Sequence, residues 1–77
     1  MRLYALCDEE LLQKRHISLE EFISIAKKEN AEIIQYRNKS ADVLYIKHQL
    51  IKIRKMYDGF LIVNDHYELV EFCDSVS

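Results

Sequence analysis

The sequence predicts an α/β chain in which parallel strands alternate with helices. Three apolar runs of strand length cover residues 3–8, 31–37 and 60–65, and helical patterns fill the segments between them. The strand starts fall roughly one βα unit apart. This alternation predicts parallel strands joined by right-handed crossovers, paired in the order one-two-three, with the helices on one side only. The pattern leaves open whether the sheet is an open sheet or a segment of a barrel.

The first strand is the apolar run of residues 3–7, which ends at Asp8. Asp8 either faces the end of the strand or caps the segment that follows, and both alternatives are open. The first predicted helix begins with a capping box, because the Ser18 hydroxyl can accept from the Glu21 amide while the Glu21 side chain reaches back. Asn30 is predicted to end that helix in a left-handed conformation.

Two further helical patterns follow the second and third strands. Apolar residues mark one face of a helix over residues 41–57, and Gly59 is the turn residue after it. Residues 66–74 predict a third helix, and Val76 is the possible start of a fourth strand. The single glycine and the absence of proline are unusual for a complete α/β domain, which normally uses glycine in its turns.

Composition excludes several classes of protein. A formal net charge of −2 argues against a partner that is nucleic acid or a membrane surface. There is no apolar run of transmembrane length and no signal peptide, so we expect a cytoplasmic protein. Cys7 and Cys73 lie in apolar runs, as reduced thiols do. The three histidines have no partner at metal-ligand spacing, and the basic residues of 47–55 are interpreted as the solvated face of a helix.

Polar residues follow the second strand where it ends. Gln35, Arg37 and Lys39 are alternate residues and share one face while the chain stays extended. An amide, a guanidinium and an ammonium are costly in a dry core. At a strand mouth they suit an anion joined to a hydrogen-bonding ring, since arginine grips phosphate with two bonds and lysine supplies a point charge. The alternative is a solvated loop.

Asn64 and Asp65 end the third strand. An amide and a carboxylate at this place can hold a substrate and a Mg²⁺ ion, which completes its coordination shell with phosphates and water. The alternative is structural, because Asp65 and Glu68 also have the spacing of a capping box for the third helix. The residues themselves leave both interpretations open.

The motifs resemble those of thiamine phosphate synthases (thiamine-phosphate pyrophosphorylases). Residues 3–8 resemble the opening strand of that family, and residues 34–39, which include Tyr36 and Asn38, match its Q-x-R-x-K motif. Residues 61–65 match its third-strand motif ending in Asn-Asp. Residues 74–77 stand where the family reads Asp-Gly-Val-His-Leu-Gly, and Ser75 and Ser77 depart from it.

The resemblance implies the N-terminal segment of a (βα)₈ barrel, a TIM barrel, with residues 1–77 forming one partial barrel domain of about three βα units. It implies a transferase of thiamine biosynthesis that joins a pyrimidine pyrophosphate to a thiazole phosphate and releases pyrophosphate with Mg²⁺. Asp65 would be the metal ligand. The substrate-binding residues would be Gln35, Tyr36, Arg37, Asn38, Lys39 and Asn64.

Three expectations follow for the chain as it stands. Since a whole barrel needs eight βα units, the 77-residue chain is expected to be inactive alone. It is expected to self-associate through open strand edges. A thiazole tautomerase, which shares the barrel and the early motifs, and a non-catalytic half-barrel remain as alternatives to the synthase.

Overall fold

The computed structural model describes residues 3–77 as an α/β fold with a four-stranded parallel sheet in the order β1-β2-β3-β4. A 3₁₀ helix stands between the last two strands. The elements are β1 (Tyr4–Asp8), α1 (Glu9–Lys14), α2 (Leu19–Lys28), β2 (Ile33–Arg37), α3 (Val43–Met56), β3 (Phe60–Val63), the 3₁₀ helix (Tyr67–Phe72) and β4 (Ser75–Val76). The predicted parallel order is confirmed, and so is the fourth strand.

Local capping chemistry explains where the first helices begin and end. The Ser18 hydroxyl accepts from the Glu21 amide at 3.0 Å, and the Glu21 carboxylate accepts from the Ser18 amide at 3.1 Å, which confirms the capping box. Asn30 has a φ of 60° and confirms the left-handed end of α2. Asp8 accepts from the Leu11 amide at 3.3 Å, so it caps α1, a six-residue helix that the sequence did not predict.

The prediction of a third α-helix over residues 66–74 is wrong. The segment forms a 3₁₀ helix of six residues, with Leu69 outside helical geometry. Two hydrogen bonds between Asp74 and Leu61 explain this: the Asp74 amide donates to the Leu61 carbonyl, and the Asp74 carboxylate accepts from the Leu61 amide, both at 2.8 Å. These bonds tie Asp74 to β3, so the chain re-enters the sheet directly after the 3₁₀ helix.

The core lies on one side of the sheet only. Side chains alternate between the two faces of a strand, and those of Cys7, Ile34, Tyr36, Leu61 and Val63 are completely enclosed. We call this side the covered face. The helices supply their own enclosed residues, Ile23 from α2 and Ile46, Leu50 and Ile53 from α3. The expectation of helices on one side is therefore confirmed.

Gly59 is needed for close packing rather than for a left-handed turn. Helix α3 ends at Tyr57 in an extended conformation, and no glycine has a positive φ. A Cβ at Gly59 would collide with the Tyr57 side chain and lie 2.9 Å from the Glu32 carbonyl oxygen. The single glycine of the chain thus lets α3 turn tightly into β3.

Candidate functional site

The other side of the sheet, which we call the open face, carries rows of side chains set by the register of the strands. One row joins Tyr4, Ile33 and Phe60, and the next joins Leu6, Gln35 and Ile62. The third row begins with Asp8 and Arg37, at the carboxyl ends of β1 and β2. The open face is therefore apolar at the start of the strands and polar where they end, which is where α/β folds place ligands.

Gln35 and Arg37 lie together on the open face, as the sequence predicted. Both are half-buried and two residues apart in β2. Asn64 extends the row beyond β3, because its amide donates to the Tyr36 carbonyl at 2.9 Å and continues the pairing of the strands. Among residues 3–77, the structure gives the side chains of Gln35, Arg37 and Asn64 no hydrogen bond or ion pair with another residue. They are thus free to bind a ligand at this end of the sheet.

Lys39 and Asp65 lie beyond the strand ends. Both are exposed: Lys39 lies in the loop before α3, and Asp65 follows Asn64. Asp65 has a φ of 68°, and its amide donates to the Ser77 carbonyl at 2.8 Å. The 3₁₀ helix has His66 as its N-terminal flanking residue, without a side-chain cap. The capping interpretation of Asp65 is therefore wrong.

Tyr36 and Asn38 do not join this group. They lie on the covered face, where the Tyr36 hydroxyl donates to the Glu9 carboxylate and receives a bond of 3.1 Å from the Asn38 side-chain amide. Gln49 of α3 donates to both Glu9 oxygens, at 3.0 and 2.8 Å. We call Glu9, Tyr36, Asn38 and Gln49 the buried polar cluster. All four are at most 6% exposed, so the structure places Tyr36 and Asn38 away from any ligand on the open face.

Burial keeps the thiol and the phenol on the covered face protonated and therefore unreactive. Desolvation, followed by the nearby Glu9 charge, raises the pKa of the Cys7 thiol to about 12. Desolvation and the hydrogen bond to Glu9 also raise the pKa of Tyr36 far above its ordinary value. A thiol and a phenol that stay protonated are poor nucleophiles at neutral pH. The covered face therefore offers structure rather than reactivity.

Residues 3–77 do not form a metal site by themselves. No three His, Cys, Asp or Glu side chains in this range are grouped so that they could hold an ion. Asp65 brings one exposed carboxylate, and Asp8 on the same edge of the sheet is engaged with the Leu11 amide. Any Mg²⁺ ion at this edge would therefore need most of its ligands from a bound phosphate and from water.

Arg54 has a structural role that the sequence interpretation missed. The sequence pattern places it on a solvated basic face, yet its guanidinium donates to the Asp74 carboxylate and to the carbonyls of Tyr57 and Gly59, at 2.9, 2.9 and 2.6 Å. The Leu61 amide and, after it, Arg54 hold the pKa of Asp74 below its ordinary value. These contacts join the end of α3 to the start of β4. Because the partners lie up to 20 residues away, no local sequence signal reveals them.

Comparison with known proteins identifies no relative of the chain. No protein-family model, no curated protein and no solved structure matches it. No helix within residues 3–77 is long and apolar enough to cross a bilayer.

Proposed function

We propose that this chain forms one wall of a thiamine phosphate synthase-like barrel, a cytoplasmic transferase, and that the polar end of its open face binds a pyrimidine pyrophosphate. The observation that carries the proposal is the placement of Gln35, Arg37 and Asn64. They stand side by side at the carboxyl ends of neighbouring parallel strands, and their side chains have no hydrogen-bond or ion-pair partner among residues 3–77. Every enclosed side-chain polar atom in residues 3–77 has a partner, so the polar atoms of these three side chains remain open to solvent and a ligand can reach them directly.

The chemistry of these side chains suits an anion attached to a polar ring. Arg37 can hold two phosphate oxygens at once, while Lys39 adds a mobile positive charge from the adjoining loop. Gln35 and Asn64 each offer an amide donor and an amide acceptor, as recognition of a pyrimidine edge requires. Cations directed at a departing pyrophosphate stabilise the charge that develops as the bond to carbon breaks.

The sheet supports the same proposal. Parallel strands in sequential order, with helices on one face and an uncovered opposite face, are the arrangement of a barrel wall seen from inside. Asp65 lies beside the site and brings one carboxylate. In the proposal, a Mg²⁺ ion would reach the site on the pyrophosphate and take most of its ligands from phosphate and water. Thiazole phosphate would be the second substrate.

The experiment is a titration of the ¹⁵N-labelled protein with inorganic pyrophosphate, followed by amide chemical shifts. We expect shifts concentrated at Gln35, Arg37 and Asn64. Arg37→Gln is expected to weaken binding by about 10- to 100-fold, because a charge-assisted hydrogen bond is worth about 1.5–3 kcal/mol.

Lysine substitutions supply the matched control. Lys39 and Lys28 are both exposed, but Lys28 ends α2, and α2 leads into the amino end of β2, opposite the site. We expect Lys39→Gln to weaken binding and Lys28→Gln to leave it unchanged. Equal losses in the two variants, or pyrophosphate shifts spread over all basic residues, would show that the anion binds without a site.

A further inference from the structure

We propose that two copies of this chain close an eight-stranded parallel β-barrel, in which β4 of each copy pairs with β1 of the other. The two open faces then form the barrel interior. The inference does not rest on pyrophosphate binding. It rests on an apolar face and two strand edges that residues 3–77 of a single chain leave uncovered.

The apolar rows of the open face are the first support. Tyr4, Leu6 and Phe60 remain 48%, 48% and 46% exposed, although each lies inside a strand of the sheet. Aromatic side chains bury about 150–250 Å² when enclosed, so Tyr4 and Phe60 together expose about 200 Å², and with Leu6 the patch comes to about 300 Å². A contiguous apolar patch of a few hundred Å² marks an interaction surface. Branched apolar side chains such as that of Leu6 are also the ones that dominate barrel interiors.

The strand edges are the second support. The Leu3 carbonyl accepts from the Glu32 amide at 3.0 Å, on the side of β2. Because backbone groups alternate in direction along a strand, the amides and carbonyls of Tyr4 and Leu6 point to the free edge. Within residues 3–77 the outer side of β4 is likewise unpaired, since β4 is last in the strand order. Unpaired edges are templates for pairing with another chain.

Only one arrangement satisfies both edges and both faces. A two-fold axis along the strand direction places β4 beside β1 of the partner and keeps every strand parallel. Pairing β1 with β1, or β4 with β4, is antiparallel and leaves one edge of each copy and the open faces exposed. Two four-stranded sheets make eight strands, the number at which interior side chains just fill a barrel.

The size of the contact approaches that of a small specific interface. Each copy contributes about 300 Å² from its three most exposed open-face residues. It adds the half-buried Ile33, Gln35 and Ile62 and two strand edges. With both copies counted, the three most exposed residues alone supply about 600 Å², half of the roughly 1,200 Å² at which specific interfaces begin, and the half-buried side chains and strand edges add to it. The closed pair also brings two sets of Arg37 and Asn64 to the same mouth, so the partner completes the polar rim.

Sedimentation equilibrium of the 77-residue protein is the first test. We expect twice the chain mass of 9.2 kDa. Leu6→Glu is expected to weaken association by about 100-fold or more, because it buries a charge from each copy in the interior. Leu44→Glu is the matched control, since Leu44 is 59% exposed at the start of α3, away from the open face. A monomer at millimolar concentration, or equal effects of the two substitutions, would overturn the proposal.

The second test works on the unmodified open face and so does not depend on the Leu6 variant folding. One set of chains, without ¹⁵N, carries the substitutions Glu71→Cys and Cys73→Ser. A spin label attached at position 71 then marks the 3₁₀ helix beside β4. These chains are mixed with ¹⁵N-labelled native chain. The closed pair predicts stronger broadening of the Tyr4 and Leu6 amides than of the Leu61 and Ile62 amides. The reverse order would indicate β4–β4 pairing, and no broadening at all would indicate no pair; either result contradicts the barrel.

Discussion

The two faces of the sheet differ in how they treat polar groups, although the same strands supply both. On the covered face, Glu9 and Tyr36 are enclosed, and every side-chain nitrogen or oxygen that is buried in residues 3–77 has a hydrogen-bond partner. On the open face, Gln35 and Arg37 are half-buried and have none. A fold that satisfies its enclosed polar groups so completely on one side leaves the other side as the place for a ligand or a partner chain.

The loss of unfolding free energy should differ most between alanine substitutions of two leucines, one on each face. Leu61 on the covered face is 0% exposed, whereas Leu6 on the open face is 48% exposed. Leu61→Ala is expected to lower the free energy of unfolding by about 2–5 kcal/mol, because it leaves a cavity among enclosed neighbours. Leu6→Ala should cost below about 1 kcal/mol at dilutions where the chain is monomeric. Urea unfolding measures both, and equal losses would mean that Leu6 is as enclosed as Leu61.

The buried polar cluster provides the next test of the comparison. Glu9→Gln is expected to cost about 1–3 kcal/mol, because an amide cannot accept all the bonds that Tyr36 and Gln49 donate to the carboxylate. Glu10→Gln is the matched control in the same helical turn and should change the unfolding free energy by less than about 0.5 kcal/mol. Thermal and urea unfolding compare the two. A neutral Glu9→Gln substitution would show that the cluster contributes no net stability.

The smallest effect concerns the Arg54–Asp74 contact, which is more than one-third exposed. The folded chain lowers the pKa of Asp74 below the ordinary value of 3.8. The stability gained is therefore complete above that value and is lost as the pH falls through the folded pKa. Stability measured between neutral pH and pH 2 should thus fall less in Asp74→Asn than in the native chain. Asp58→Asn, an exposed control, should keep the native pH profile.

Sequence reasoning recovered features whose cause is local. Ser18 and Glu21 lie three residues apart, and Asn30 needs only its own tolerance of a positive φ, so both were predictable. The alternation that places Gln35 with Arg37 also places Tyr36 on the other face, which strict use of the two-residue period would have shown. The pairing of Glu9 with Gln49 joins residues 40 apart, and no pattern within one element reports it.

The same reasoning explains the mistake after β3. Residues 66–74 have helical spacing, but their geometry is decided by Asp74, which is bound to Leu61 in the neighbouring strand. A tertiary contact of this kind overrides local propensity. The possible fourth strand was nevertheless visible in the sequence, because Val76 follows the helical pattern as an apolar residue of strand type.

The backbone conformation of Asp65 limits which residues mutation and selection would favour at this position. With a φ of 68°, its backbone occupies a region where glycine is the residue of least strain. Its side chain is exposed and takes part in neither helix capping nor the core. Mutation followed by selection for thermal stability alone would therefore tend to replace Asp65 with glycine or asparagine. Persistence of the carboxylate under such drift would mean that selection acts on the negative charge itself, at the polar end of the open face.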